Sequence, residues 1–247
     1  MKKKNSSYLV AALLVILSLA LYSLQLLIFR SPRNTAFYLL QDFAFLPLQI
    51  AIVTVVLGSF LKNRAKTERL HKMDMLINAF FSEAGTEILV SLTQFNTNFA
   101  DIRKNLDVQV NWNDRTFLKT ARYLETADLP VECQASVLEE LKRLLLSKRD
   151  FLIRMLENPN LLEHDTFTDM LLAAFHITEE LMARDEFDEK NSADMAHLSV
   201  DVKRALRTLL IQWVNHMKHL SSEYPYLYSL EVRKNPFCDK KSVVIKT

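Results

Sequence analysis

The strongest constraint on this chain is a run of 22 residues, Tyr8 to Phe29, that contains no charged side chain. As a helix rising 1.5 Å per residue it would extend about 33 Å, enough to cross the hydrocarbon core of a bilayer. A second apolar run extends from about Phe37 to Leu61. The connector between them, Arg30-Ser31-Pro32-Arg33-Asn34, is short and proline-broken, which forces an antiparallel hairpin. The first run is longer than the roughly 7–15 apolar residues of a leader-peptide core, so it reads as a retained span rather than a cleaved signal.

Lysine and arginine set the orientation. Lys2, Lys3 and Lys4 fall on one side together with Lys62, Arg64, Lys66, Arg69 and Lys72, against Arg30 and Arg33 in the connector. Both termini therefore belong on the cytoplasmic side, and the basic stretch after the second span is placed to touch anionic lipid headgroups. The second run is the less simple span because it carries Gln41, Asp42, Gln49 and Pro47. A carboxylate at mid-bilayer costs about 2.5–3.5 kcal/mol, but Asp42 sits near the outer end, where Gln25 of the first span is at matching depth. A structural use is the expectation, Asp42 reaching interfacial water, pairing with Arg30 or Arg33, or locking the hairpin through a Gln25 to Asp42 hydrogen bond, with an ion or proton pathway as the alternative. Pro47 should kink its helix.

Beyond the hairpin the pattern is amphipathic. Only two glycines, Gly58 and Gly85, occur in 247 residues, too few for phosphate-cradling loops or a turn-rich sheet. The fold class is all-α: a two-helix transmembrane hairpin followed by a cytoplasmic multi-helix bundle. Residues 1–7 form a basic N-terminus, 8–61 the hairpin (helices about 8–29 and 37–61), 62–237 the bundle and 238–247 a loose tail. Leu70, Met73, Ile77 and Phe80 share one face, which is available for oligomerisation, and Gly85 marks a break or tight corner. Helices follow over about Thr86–Asn105, a short segment containing Phe117 and Leu124, Ala135–Glu157, Asp165–Arg184 and Ser192–Ser222. Their stripes include Leu138, Leu141, Leu145, Leu152 and Met155, then Phe167, Met170, Leu171, Ala174 and Leu181, then Val202, Leu206, Leu209, Trp213, Met217 and Leu220.

A net charge of +2 with mixed signs leaves no basic stripe for nucleic acid, and Cys133 and Cys238 read as reduced thiols. No glycine loop, close cysteine pair or two-histidine zinc helix is present, and no cofactor is implied. One pattern could ligate metal: His176 with Glu180, His197 with Asp201 and His219 with Glu223 each place a histidine four residues before an acid on one helical face. Projected at 100° per residue, the first two pairs point away from the apolar stripes and should be solvated. The C-terminal strip from Tyr224 to Phe237, with Tyr226 and Tyr228 between, is aromatic and bounded by prolines. It should fold back on the bundle or receive a partner.

Leu40-Gln41-Asp42-Phe43-Ala44-Phe45-Leu46-Pro47, Phe80-Phe81-Ser82-Glu83-Ala84-Gly85-Thr86-Glu87, Asn158-Pro159-Asn160-Leu161-Leu162-Glu163-His164, Phe175-His176-Ile177-Thr178-Glu179-Glu180-Leu181 and the strip Tyr224 to Phe237 carry a resemblance. In these stretches the chain resembles a family of uncharacterised prokaryotic two-span membrane proteins with a helical cytoplasmic part. The resemblance implies a prokaryotic cytoplasmic membrane and brings no activity or ligand. The leading expectation is a membrane-anchored interaction, scaffold or sensor module without a catalytic site, its partners being the bilayer and either a second copy or another protein. An ion-conducting oligomer and a helical-bundle metalloenzyme are the alternatives.

Overall fold

The computed structural model describes residues 2–162 and 165–238, with side chains described outside 2–12, 59, 61–72, 160 and 162. Among the described residues there are ten α-helices and no strand. The chain divides into two compact units, residues 1–67 and 68–247.

In the first unit, α1 spans Lys2–Phe29 and α2 begins at Pro32. The expected break at Pro32 is instead a helix start. Proline is favoured at the first helical position because its missing N–H has no partner there anyway, and the Ser31 carbonyl accepts from Asn34 N (3.1 Å) and Thr35 N (3.2 Å). The link is thus only Arg30 and Ser31, with Arg30 in the left-handed region at φ 46°. Leu13–Phe29 of α1 is an apolar stretch, and Pro32–Gly58 is 27 residues long and apolar enough to span a membrane, by length and composition. The most apolar window of Pro32–Gly58 has none of its residues buried within the protein.

α2 continues to Phe80, and the chain stays helical through a π-helical turn, Phe81–Gly85, into α3, Thr86–Thr93. Gly85 therefore marks no corner. The buried positions here are Phe80, Phe81, Ala84, Gly85, Ile88, Leu89 and Leu92. Two rows of spacing four run through them, and on a regular α-helix of 3.6 residues per turn each step of four drifts about 40° around the axis. The wider turn, with hydrogen bonds from i to i+5, absorbs that drift. Its closure is visible at Thr86, whose backbone N–H and side-chain hydroxyl (2.8 Å) both donate to the Phe81 carbonyl. Gly85 is needed for space: a Cβ there would overlap the Phe80 ring and lie 2.9 Å from Phe81 Cδ1.

The helix expected over Thr86–Asn105 is interrupted after Thr93 by turns, and α4 covers only Phe99–Arg103. The cause is a pairing that a helix could not make: Thr97 N donates to Pro130 O (3.1 Å) and Glu132 N to Phe95 O (3.0 Å), closing an antiparallel bridge between Asn96 and Val131. α5 (Asp114–Thr126) starts under an Asn113 cap, whose side chain accepts from Thr116 N. α6 (Ala135–Leu156), the short α7 (Pro159–Leu162), α8 (Asp165–Met182) and α9 (Ser192–Glu223) follow, with Asn191 capping α9. α9 packs on α3, α5, α8 and α10, while α6 lies against α8 and α3. The apolar positions expected to be inward on α6 and α8 are all buried, as are those on α9 from Val202 to Leu220.

One further sequence expectation is corrected. Met73 and Phe80 lie in the bundle core and Ile77 is half-buried against it, so this face is occupied within the chain and unavailable for oligomerisation; the Leu70 side chain lies outside the described residues. The C-terminal strip forms α10, Pro225–Lys234, packed on α9, with Pro225 at the first helical position. It is fastened to the loop before α5: Tyr228 Oη donates to Gln109 O (2.7 Å), and buried Asn235 donates to Leu106 O (2.8 Å) while accepting from Phe237 N (2.9 Å).

Two outcomes follow from this packing. Gly85→Ala should lower unfolding stability by about 1–2 kcal/mol although alanine is the better helix former, because overpacking against two buried rings outweighs the propensity gain. Asn235→Ala should cost about 1–3 kcal/mol by leaving the Leu106 carbonyl and Phe237 N–H unpaired. Thermal or denaturant unfolding followed by circular dichroism measures both.

Candidate functional site

The charged positions singled out in the sequence separate into three places. In the first unit, Asp42 accepts from the Tyr22 hydroxyl at 2.7 Å. Tyr22, not Gln25, is therefore the donor, although Gln25 lines the same groove. The phenol is longer than the amide and reaches the neighbouring helix from a position one turn earlier. Gln41 and Gln49 are exposed, and Pro47 lies inside α2 without ending it. The side chains of Lys62, Arg64, Lys66, Arg69 and Lys72 lie outside the described residues.

The second place is the lower end of α9. His219 Nε2 stands 3.3 Å from Asp74 Oδ2, and Glu223 is exposed. The pairing expected of His219 with Glu223 is thus replaced by one across to α2, because the inward-turned imidazole of His219 meets Asp74 first. These two residues line a cavity of about 250 Å³ with Thr166, Gln212, Asn215 and His216. His216 is buried and stacks on Phe81, with ring centroids 4.9 Å apart and planes 16° apart. Burial, with a smaller contribution from His219, pushes its pKa down to about 3.

The third place gathers two of the expected pairs. α8 carries His176 and Glu180, α9 carries His197 and Asp201, and the packing of α8 on α9 brings all four together. His176 Nε2 is 3.3 Å from Asp201 Oδ2 and 3.8 Å from Glu180 Oε1. His197 Nε2 is 3.4 Å from Asp201 Oδ2 and 3.5 Å from Glu180 Oε2. The expectation that these pairs are solvated is overturned for Asp201, whose side chain is 3% exposed. A wheel projection of one helix cannot show this, since the carboxylate is covered by the neighbouring helix rather than by its own stripe.

Arginines hold the far oxygens of both carboxylates. Arg184 Nη1 lies 2.8 Å from Glu180 Oε2 and Arg204 Nη1 3.2 Å from Asp201 Oδ1. Arg184 also makes a two-pronged pair with Asp194, Nη2 to Oδ1 at 2.7 Å and Nε to Oδ2 at 3.0 Å. Hydrogen bonding to Arg184 holds the Glu180 and Asp194 carboxyls below the usual range, and Asp194 foremost raises the Arg184 guanidinium in return. Arg184 and Arg204 went unnoticed in the sequence, though each follows its acid by one helical turn, at i+4 and i+3. Chemically, two imidazoles facing two pre-oriented carboxylates can share protons or hold a cation.

The aromatic strip offers less to a partner than its composition implies. Tyr228 and Phe237 are buried, burial pushing the Tyr228 phenol up to about 12, and Tyr224 is half-buried; only Tyr226 is exposed.

Comparison with known proteins gives one consistent result. Residues 2–61 match the family model described as the MJ1433 N-terminal helical domain, and residues 69–233 match the one described as the C-terminal helical domain of uncharacterized protein MJ1433. The protein of that name from Methanocaldococcus jannaschii is 37% identical over 246 residues, covering 100% of this chain and 98% of its own length. No solved structure matches.

The neutrality of His216 has a pH consequence. Its folded pKa is depressed, so the unfolded chain takes up the proton first as pH falls below about 6.5. The stabilisation is complete above that pH and declines towards pH 3, by a total on the order of a few kcal/mol. His216→Gln should flatten the loss measured by chemical denaturation between pH 7 and pH 5.

Proposed function

We propose, from the premise that this chain belongs to the MJ1433 family of paired N- and C-terminal helical domains, that it is a membrane-anchored helical module that engages a protein partner or a second copy of itself. One observation carries the anchoring: α1 from Leu13 and the α2 stretch to Phe60 expose nearly all of their large apolar side chains, from Leu27 at 74% to Leu39 at 40%. Each such side chain left in water forgoes about 1.5–3 kcal/mol of burial, so a surface of this extent requires an apolar surrounding. Lipid supplies one along the whole length.

The short link supports a hairpin, and the Tyr22 to Asp42 hydrogen bond supports a structural use of the one carboxylate in the spans, since it joins α1 to α2. The lysine-rich borders support a prokaryotic cytoplasmic membrane with both termini inside, the basic segment Lys62 to Lys72 resting against anionic headgroups. The bundle would then be held at the inner membrane face, where the exposed Tyr226 and the polar cluster between α8 and α9 are open to a partner.

Alkaline carbonate washing of membranes from expressing cells should leave the protein in the pellet, and a periplasm-active reporter fused after Thr247 should be silent. Extraction by carbonate or an active reporter would overturn the anchoring. Crosslinking in intact membranes should give an adduct heavier than the monomer; monomer alone would reject the interaction half. Asp42→Asn should leave membrane conductance unchanged.

A further inference from the structure

We infer that His176, Glu180 and Asp201 form a binding site for a divalent first-row transition-metal ion between α8 and α9. The inference stands independently of how the chain is anchored.

Three donor atoms, one from each residue, lie within 4.8 Å of one another. In a tetrahedral site with metal–ligand distances of about 2.0–2.2 Å, ligand atoms stand about 3.3–3.6 Å apart along the edges. The imidazole of His176 is 3.3 Å and 3.8 Å from its two carboxylate oxygens, so those two edges need little contraction, and the third, between the carboxylate oxygens and within 4.8 Å, closes as the ion draws them in. A second, independent observation points to a missing ligand. Asp201 Oδ2 is buried and makes no hydrogen bond, although the Nε2 atoms of His176 and His197 face it at 3.3 and 3.4 Å. A buried carboxylate oxygen left without a hydrogen bond is costly.

The surroundings fit the same role. Arg184 and Arg204 occupy Glu180 Oε2 and Asp201 Oδ1, which leaves Glu180 Oε1 and Asp201 Oδ2 turned to His176. Partners on the far oxygen orient a ligating carboxylate and fix its geometry. One imidazole with two carboxylates is a mixed N and O set that suits zinc, manganese or iron(II) rather than magnesium or calcium, which take oxygen alone. Three protein ligands with His176 half-exposed leave a coordination position that solvent can reach, as in sites that exchange ligands rather than in closed structural ones. His197 touches both carboxylates but lies outside the triad, so it positions them.

The test uses the full chain in detergent, stripped with chelator and titrated with Zn²⁺ by calorimetry, with Co²⁺ absorption reporting the ligand field. One Zn²⁺ per chain is expected. His176→Ala, on a half-exposed position that tolerates truncation, and Asp201→Asn should each weaken binding at least about tenfold with helix content retained; His197→Ala should weaken it less. His219→Ala, outside the cluster, should bind as the parent does. Uptake far below one equivalent would mean an ion-pair cluster only and overturn the site, as would parent-like affinity in His176→Ala or loss in His219→Ala equal to that in His176→Ala.

Discussion

The bundle depends on the burial of α9 on several sides at once. A helix of 32 residues in which Leu198, Val202, Ala205, Leu206, Leu209, Leu210, Trp213, Val214, Met217 and Leu220 are all covered must be surrounded, and α3, α5, α8 and α10 do so. Each of these helices has one apolar stripe and could not bury it alone. The common partner turns four marginal amphipathic helices into one core. It also explains the arginine at its middle: Arg207 reaches the last carbonyls of α5, donating to Leu124 O (3.0 Å), Glu125 O and Ala127 O (2.8 Å). One side chain of the central helix thereby satisfies the end of a neighbour.

Along one edge of the same helix the packing changes from apolar to charged. Asp194, His197 and Asp201, the last held also by Arg204, face His176 and Glu180 of α8 and Arg184 just beyond its end, while Leu198 and Val202 turn into the core. The carboxylate of Asp201 is buried only because this seam runs beside the core. A charge so placed requires partners, and Arg204 answers one of its two oxygens. The polar seam and the apolar centre are therefore two consequences of one helix contact.

Much of this was legible in the residues. Leu138, Leu141, Leu145, Leu152 and Met155 on α6, and the stripes of α8 and α9, follow from a 3.6-residue period in segments long enough to average out exceptions. Other elements were hidden for definite reasons. α10 is only ten residues, begins with a proline and ends just before another, so its aromatic content reads as a strip. The break after Thr93 is dictated by a backbone bridge to Val131, a partner remote in the sequence. The gathering of His176, Glu180, His197 and Asp201 required two helices to be seen together. Their spacing was visible, but the covering of Asp201 belongs to neither helix alone.

The π-helical turn at Phe81–Gly85 ties the length of the chain to the direction its side chains face. Removing any one residue there would let the turn relax into an ordinary α-helix, a locally more comfortable backbone. Five residues of the wider turn cover almost the same rotation as four of an α-helix, so Ile88, Leu89 and Leu92 would keep their place on the core side. That slack is one residue deep: an insertion, or a second deletion, would turn the downstream faces by about 100°, whereas polar exposed positions such as Glu83 can vary in kind.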